Sequence, residues 1–559
     1  MKLLAFLFLF STFAFSQNKY PQDYFISPLN IPLDLSGSFG ELRSNHFHSG
    51  LDFTTNKTEG LPVYAAADGY VSRIKISTFG YGKAIYITHN NGFTTVYAHL
   101  QKANGEIESY IKKNQYKEKS YEVEMFPKAN ELFVRKGDII AFSGNTGGSS
   151  GPHLHFEFRD TKTEKIINPL HFGFNKIIRD DRKPEVYALI AYPIDSSLVN
   201  ESEKPISLSI TKQTNGTFLA KTVKTNGKVA FGINAYDFCT NAYNKNGLYK
   251  ANAYLNGVLY FTFDFETFSF DETRYINHFL DYERLKSLNQ RVQKLFYKQP
   301  YPLTIINKNT KNGIIAPQPN TTYTYKIELL DFHGNKTEVI VPIEYANQQT
   351  KISNKIFKTN YFVKAARESI FKKDNFTVTI PENAFYEDFY MSLEKNSNLV
   401  MLHNEKTPIH KAIKLTINDN SISEDLKDKT FIALVEGAEL SYNKTYQKDG
   451  SYSANIKSFG NYKLAQDTAP PRIYNVNFVE GKTLTQKTIS VSINDLLSGI
   501  DTYNAYLNGN WILMEYDHKT KKLIHNLSDG IAVKGKNELK IVVIDNLKNS
   551  AIFESYFYL

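Results

Sequence analysis

Two stretches of this 559-residue chain repeat each other, and the repeat limits the possible folds more than any other feature. Ala253-Tyr254-Leu255-Asn256-Gly257 recurs identically as Ala505-Tyr506-Leu507-Asn508-Gly509. Upstream, Ile233-Asn234-Ala235-Tyr236-Asp237 is echoed by Val491-Ser492-Ile493-Asn494-Asp495. Downstream, Leu330-Asp331-Phe332-His333-Gly334-Asn335-Lys336 is echoed by Ile544-Asp545-Asn546-Leu547-Lys548-Asn549. Echoes in one order imply two copies of one structural unit. Both copies consist of short strand-like runs with turn residues at roughly 8–12-residue spacing, the pattern of a β-sandwich. The first copy is longer between its second and third echoes, and a helix-like stretch near 282–298 fills part of that insertion.

The rest of the chain is also β-like. Tyr (37) and Phe (40) far outnumber Trp (1), and both suit half-buried pleated surfaces, so the expected class is mostly β. At roughly 100–200 residues per domain, three or four domains are expected. Residues 1–16 have the form of a secretory signal peptide. Lys2 precedes an apolar run from Leu3 to Phe15, and Ala14 and Ser16 are the small residues before a cut near Gln17. That run is short for a membrane span, and no cysteine follows it to carry a lipid anchor. Residues 17–180 form the first domain, with a helix-like insert at about 102–130 in which Ile107, Tyr110 and Ile111 recur at helical spacing. Residues 181–347 and 468–559 are the two repeat copies. Residues 350–466 are strand-like but lack the echoes, and so form a β-rich domain of another type. In the first domain, Ala84–Thr88 and Thr94–Ala98 read as a hairpin closed through Asn91-Gly92. The single cysteine, Cys239, cannot form an intramolecular disulfide, so stability must come from cores. The net charge of +9 is spread along the chain as a solvated face and gives no ground for nucleic-acid binding.

The chemistry lies in the first domain. Of 13 histidines, His48, His99, His153 and His155 fall in three short segments. In a strand, residues two apart share a face, so His153 and His155 look to one side while Leu154 and Phe156 look to the other. A bare His-x-His is more often two polar groups on a wet sheet face. His48 and Asp52, four apart around Gly50, add an imidazole and a carboxylate, both good zinc ligands. Alone, that pair reads equally well as a surface turn capped by Asp.

Together these segments resemble the three signatures of the M23 (lysostaphin/LytM-type) metallopeptidase family, in family order. They are His48-Ser49-Gly50-Leu51-Asp52, Tyr97-Ala98-His99-Leu100, and the run from Ser143 to Glu157 that contains Gly151-Pro152-His153-Leu154-His155. Gly80-Tyr81-Gly82, Arg135-Lys136-Gly137-Asp138 and Ile167-Asn168-Pro169-Leu170 match in support. The resemblance covers about residues 35–172. It implies one zinc ion held by His48, Asp52 and His155, with His153 as general base and His99 as a second active-site histidine that stabilises the oxyanion or orients the base. Three protein ligands leave a position open for water, the catalytic arrangement. His89 and His46 are read as structural or outside the site, and Glu157 is given no role. The stretch between His99 and Lys136 is longer than the family pattern, which places the helical insert where it could wall or cover the groove.

The resemblance implies a zinc endopeptidase that acts on peptide cross-links or stem peptides of bacterial peptidoglycan. It would be exported to the periplasm or cell envelope, and its β modules, which resemble bacterial immunoglobulin-like domains, would bind or space the wall. Export without disulfides leans toward a Gram-negative periplasm. Two other readings stand beside it: a non-catalytic envelope scaffold that activates another hydrolase, and a peptidase acting on a non-wall protein. Residues 17–34 are read as an extended lead-in rather than an inhibitory arm over the groove.

Overall fold

The structure, a computed structural model, describes residues 19–240, 243–354 and 357–559. The signal-like segment 1–16 lies outside the described residues. The chain is mostly β: strands dominate from Leu35 to Tyr558, and the longest helix is Gly105–Glu118.

The N-terminal part is built on an antiparallel sheet. Its strands run in the order Leu35–Gly37, Leu51–Thr54, His153–Asp160, Phe93–Ala98, Lys83–Thr88, Gly69–Ile76 and Val123–Met125. The hairpin at 83–98 closes through Gly92, whose φ of +85° is the left-handed conformation that glycine adopts without a Cβ clash. Alternation sorts His153–Asp160 cleanly. Leu154, Phe156 and Phe158 are fully buried on one face, and Phe158 stacks on Phe172 with ring centroids 3.9 Å apart. Phe25 packs edge-on against Phe158 on that same face, away from the histidines.

Two sheets follow, one around Glu185–Ile194 and Lys228–Tyr236, the other around Lys250–Leu255, Thr322–Leu330 and Lys336–Tyr345. Their core is continuous with that of the N-terminal sheet, from Tyr20 to Ile343. Thr267–Phe268 even pairs with Ile166–Ile167 as an extra strand of the first sheet. Two five-stranded sheets spanning Ser369–Gln466 enclose a separate core, and two four-stranded sheets spanning Arg472–Tyr558 enclose another. The identical pentapeptides occupy identical places: each ends a strand and turns through Asn256-Gly257 (φ +48°, +83°) or Asn508-Gly509 (φ +52°, +80°). Two successive positive φ values are what a two-residue hairpin turn requires, which accounts for the Asn-Gly in both copies.

The chain doubles back, so that its last sheets touch the first. Lys83 Nζ lies 2.6 Å from Glu515, Tyr116 donates to Asp529 at 2.6 Å, and Lys519 donates to Asn145 Oδ1 at 3.1 Å. The ring of Phe79 lies 4.7 Å from that of His518. These contacts occupy the outer rim of the segment carrying the histidine signatures.

Candidate metal centre and active site

Sheet register assembles the site. His155 sits opposite Asp52 on one neighbouring strand and opposite Ala98 on the other. His99, immediately after Ala98, takes a left-handed φ of +58° that turns its ring back toward His155. His48 enters from the turn before Leu51–Thr54. Gly50 permits that turn, because a Cβ there would meet the Phe156 carbonyl oxygen at 2.4 Å.

Three donor atoms converge. His48 Nε2 lies 3.0 Å from both His155 Nδ1 and Asp52 Oδ1, and His155 Nδ1 lies 2.8 Å from Asp52 Oδ1. All three residues are buried. The outer nitrogens assign the tautomers. His48 Nδ1 donates to the Ser38 carbonyl at 2.8 Å, and His155 Nε2 donates to Glu157 Oε1 at 2.9 Å. In its neutral form each ring therefore turns a lone pair inward, next to an ionised carboxylate. Burial opposes the charge on Asp52, but the surrounding imidazoles, His48 first, hold its carboxyl well below the usual range. Burial keeps His48 neutral, lowering it to about 4. His155 overcomes the same burial through its bonds to Asp52 and Glu157 and rises to about 9, and a bound cation would take the place of the proton shared between Nδ1 and Asp52. Inward lone pairs around a carboxylate, at a point that favours a cation, fit a zinc ion held by His48, Asp52 and His155.

His153 Nδ1 donates to the Gly151 carbonyl at 2.8 Å. Its Nε2 is buried without a hydrogen-bond partner, 3.5 Å from Asp52 Oδ1. His99 Nδ1 donates to the Thr146 carbonyl at 2.8 Å, and the two rings lie 4.7 Å apart. Burial and the neighbouring histidines lower His99 to about 3.

Several supporting groups carried no assigned role in the sequence. Arg43 donates to Asp52 Oδ2 at 2.6 Å and so leaves only Oδ1 facing the cluster. Glu157, wholly buried, accepts from His155, from Ser49 at 2.6 Å and from Tyr81, and pairs with Arg159 at 2.7 Å. The signal was present: His153, His155, Glu157 and Arg159 alternate along one strand and therefore share a face. His89 is structural, bonded to the Asp68 carbonyl and to Thr95 at 2.8 Å each. His46 is exposed and bonds only locally.

The expectation for the insert is corrected here. The helix Gly105–Glu118 buries Ile107 and Ile111 against the sheet and does not line the site. The histidines open instead into a cavity of about 680 Å³ whose far wall comes from the following sheets, with Tyr236, Asn244, Lys245 and Arg291. Tyr236, Asn244 and Lys245 precede the repeated pentapeptide, and Arg291 comes from the insertion that follows it.

The model of peptidase family M23 matches residues 46–116 and 122–169. These residues form an M23 peptidase domain. A Zu5-like domain model matches residues 360–467, the block without echoes. A DD-carboxypeptidase/endopeptidase of Neisseria meningitidis serogroup B is 37% identical over 118 residues, which is 21% of this chain and 21% of that protein. A peptidoglycan DD-endopeptidase of Vibrio cholerae is 27% identical over 157 residues, 28% of each chain. The solved catalytic domain of lysostaphin from Staphylococcus simulans is 26% identical, covering 24% of this chain and 89% of that one at a TM-score of 0.19. The chain thus spans only about a fifth to somewhat over a quarter of the length of the curated relatives it matches.

Proposed function

We propose that this protein is a zinc endopeptidase that hydrolyses peptide cross-links or stem peptides of bacterial peptidoglycan. The observation that carries the reading is the inward-facing set of His48, Asp52 and His155 beside the unpartnered Nε2 of His153. The complete donor set supports an enzyme over a scaffold. The relative named as a peptidoglycan DD-endopeptidase supports the wall as substrate.

Zinc, when bound, supplies Lewis-acid polarisation of the scissile carbonyl and acidifies water. The chain's own residues handle the proton. His153 and His99 each spend their Nδ1 hydrogen on a backbone carbonyl, so both present an unprotonated Nε2 to the same space. His153 Nε2 accepts a proton from the attacking water and returns it to the leaving amine. An acceptor at His99 suits holding that water more than stabilising an oxyanion.

Lys57, Lys245 and Arg291 line the groove and suit the free carboxylates of wall peptides. Lys245 is held in place over the rings of Tyr187 and Tyr236, 4.7 and 4.8 Å from their centroids. Reversing the charge at Arg291 (Arg291→Glu) is expected to raise KM about tenfold with kcat little changed, as loss of uniform binding requires. A fall in kcat at unchanged KM would remove Arg291 from substrate binding.

We assign the β modules, read as immunoglobulin-like, to wall binding or spacing, and the chain to the cell envelope. No helix among the described residues is long and apolar enough to cross a membrane. The test is digestion of purified sacculi by the zinc-loaded protein beside the same protein with chelator, with products read by mass spectrometry. New cleaved stem peptides only with zinc are expected. Intact sacculi under both conditions, with zinc bound, would sink the reading.

A further inference from the structure

We propose that a second divalent cation, of the hard, oxygen-preferring class, binds between Asp180, Asp237, Asp331 and Asn246, where the M23 domain meets the sheets that follow it.

Asp237 and Asn246 exchange backbone hydrogen bonds at 3.0 and 2.9 Å. Residues so paired across antiparallel backbone project to one face. Both side chains line a cavity of about 30 Å³, with Asp180 and His333 on its other walls. That is room for one or two water-sized species. A carboxylate oxygen each from Asp180 and Asp331 and a ring nitrogen of His333 lie within 4.8 Å of one another.

Partners account for some of these atoms and leave others bare. Asp331 accepts from the Asn335 amide and side chain at 2.7 and 2.6 Å, and Asp180 from the Arg182 amide at 3.1 Å. Oδ1 of Asp237 and Oδ1 of Asn246 have no partner, in residues only 6% and 1% exposed. His333 eases the charge on Asp180 and Asp331, and no hydrogen bond reaches Asp237 Oδ1. Burying carboxylates without a counter-charge is costly, and the group either neutralises or acquires a cation. Without a cation the cost is visible: burial and mutual repulsion push Asp237 up to about 8 and Asp180 up to about 6. The Cys239 sulfur beside them already accepts from the Asn246 side chain at 3.4 Å, which leaves oxygen atoms as the unpartnered donors. Carboxylate and amide oxygens suit calcium or magnesium.

The second repeat copy offers a built-in comparison. Asp467, Asp495 and Asp545 also cluster, with Asp495 and Asp545 at the echoed positions of Asp237 and Asp331. There, backbone N–H groups fill the carboxylates: Ser498 on Asp467 at 3.1 Å, Gly499 on Asp495 at 2.7 Å and Leu547 on Asp545 at 2.8 Å. The first copy has the same acids with two buried oxygens left over.

The site bears on the active centre. Gly247, next to Asn246, donates to Ser38 Oγ at 2.9 Å, and the Ser38 carbonyl orients His48. A cation here ties the Lys245 wall of the groove to the segment that orients His48.

The test uses the full chain, zinc-loaded and freed of other divalent ions, titrated with calcium chloride by calorimetry and by thermal melting. A dissociation constant on the order of 10⁻⁴–10⁻³ M is expected, with a rise in melting temperature of about 2–5 °C at saturation. Asp237→Asn is expected to lose that uptake and the rise, while melting no lower than the wild type without calcium, since repulsion is relieved. Should that variant fold poorly, Asp180→Asn, at the half-buried edge, gives the same loss. A wild type that binds neither calcium nor magnesium, or variants that bind as the wild type does, would overturn the proposal.

Discussion

Replacing His153 with alanine is expected to slow cross-link hydrolysis by about 10²–10⁴-fold, the range a positioned general base supplies. Zinc content and melting temperature should stay at wild-type values. The reason is geometric. His153 lies beside the converging donors but is not one of them: its Nε2 is 3.5 Å from Asp52 Oδ1, while the other three atoms are 2.8–3.0 Å apart. Its ring sits at the cavity wall, 13% exposed, so truncation leaves no large buried void. His48→Ala is the contrasting variant. It removes a ligand, so zinc content and hydrolysis should fall together. Zinc per chain by elemental analysis, measured beside turnover on sacculi, separates the two. If His153→Ala also loses its zinc, His153 belongs among the ligands and the assignment of the base is wrong.

How much of this site could be read from sequence depends on which interactions are local. Alternation along His153–Asp160 placed His153 and His155 on one face, and the strand keeps them there. Opposition of Asp52 and His155 across two strands depends on sheet register, which spacing alone does not give, so the M23 resemblance had to supply it. Glu157 and Arg159 follow the same alternation and were legible as neighbours of His155. What hid their role is that a buried acid and a surface acid look alike until burial is known. Arg43 was invisible for a different reason: it reaches Asp52 from a two-residue strand, Leu42–Arg43, too short to leave a pattern. The groove wall was least legible. The helical insert was local and easy to see, and its position next to His99 in sequence suggested the groove. Its apolar face packs elsewhere, and Tyr236, Lys245 and Arg291 arrive from far along the chain. At the fold level, Asn-Gly turns and echoes marked matching hairpins, because positive φ at two successive residues restricts the sequence more than a strand does.

The Glu157–Arg159 pair makes the second large prediction. Glu157→Gln is expected to destabilise the protein by about 3 kcal/mol, the low end for breaking a buried pair. Zinc affinity should fall about 10–100-fold, as when a histidine ligand loses its orienting partner. The carboxylate is wholly buried, and burial alone would keep it protonated. Arg159, then His155 and Ser49, reverse that and hold it far below the ordinary range. Removing its charge strands the Arg159 guanidinium, which is only 4% exposed. Partial relief comes from Glu164 at 3.2 Å and from the rings of Tyr86 and Phe270, 5.2 and 4.7 Å away, which is why the low end applies. The double variant Glu157→Leu, Arg159→Met separates the two effects. Removing both charges together should recover much of the stability, because buried ion pairs are often replaceable by apolar groups of similar volume. It should not restore zinc affinity, because with leucine at 157 His155 Nε2 has no acceptor and the inward lone pair on Nδ1 is no longer fixed. Urea denaturation and zinc competition on the three proteins read this directly. Zinc affinity that recovers along with stability would mean that Glu157 serves the sheet rather than the metal centre.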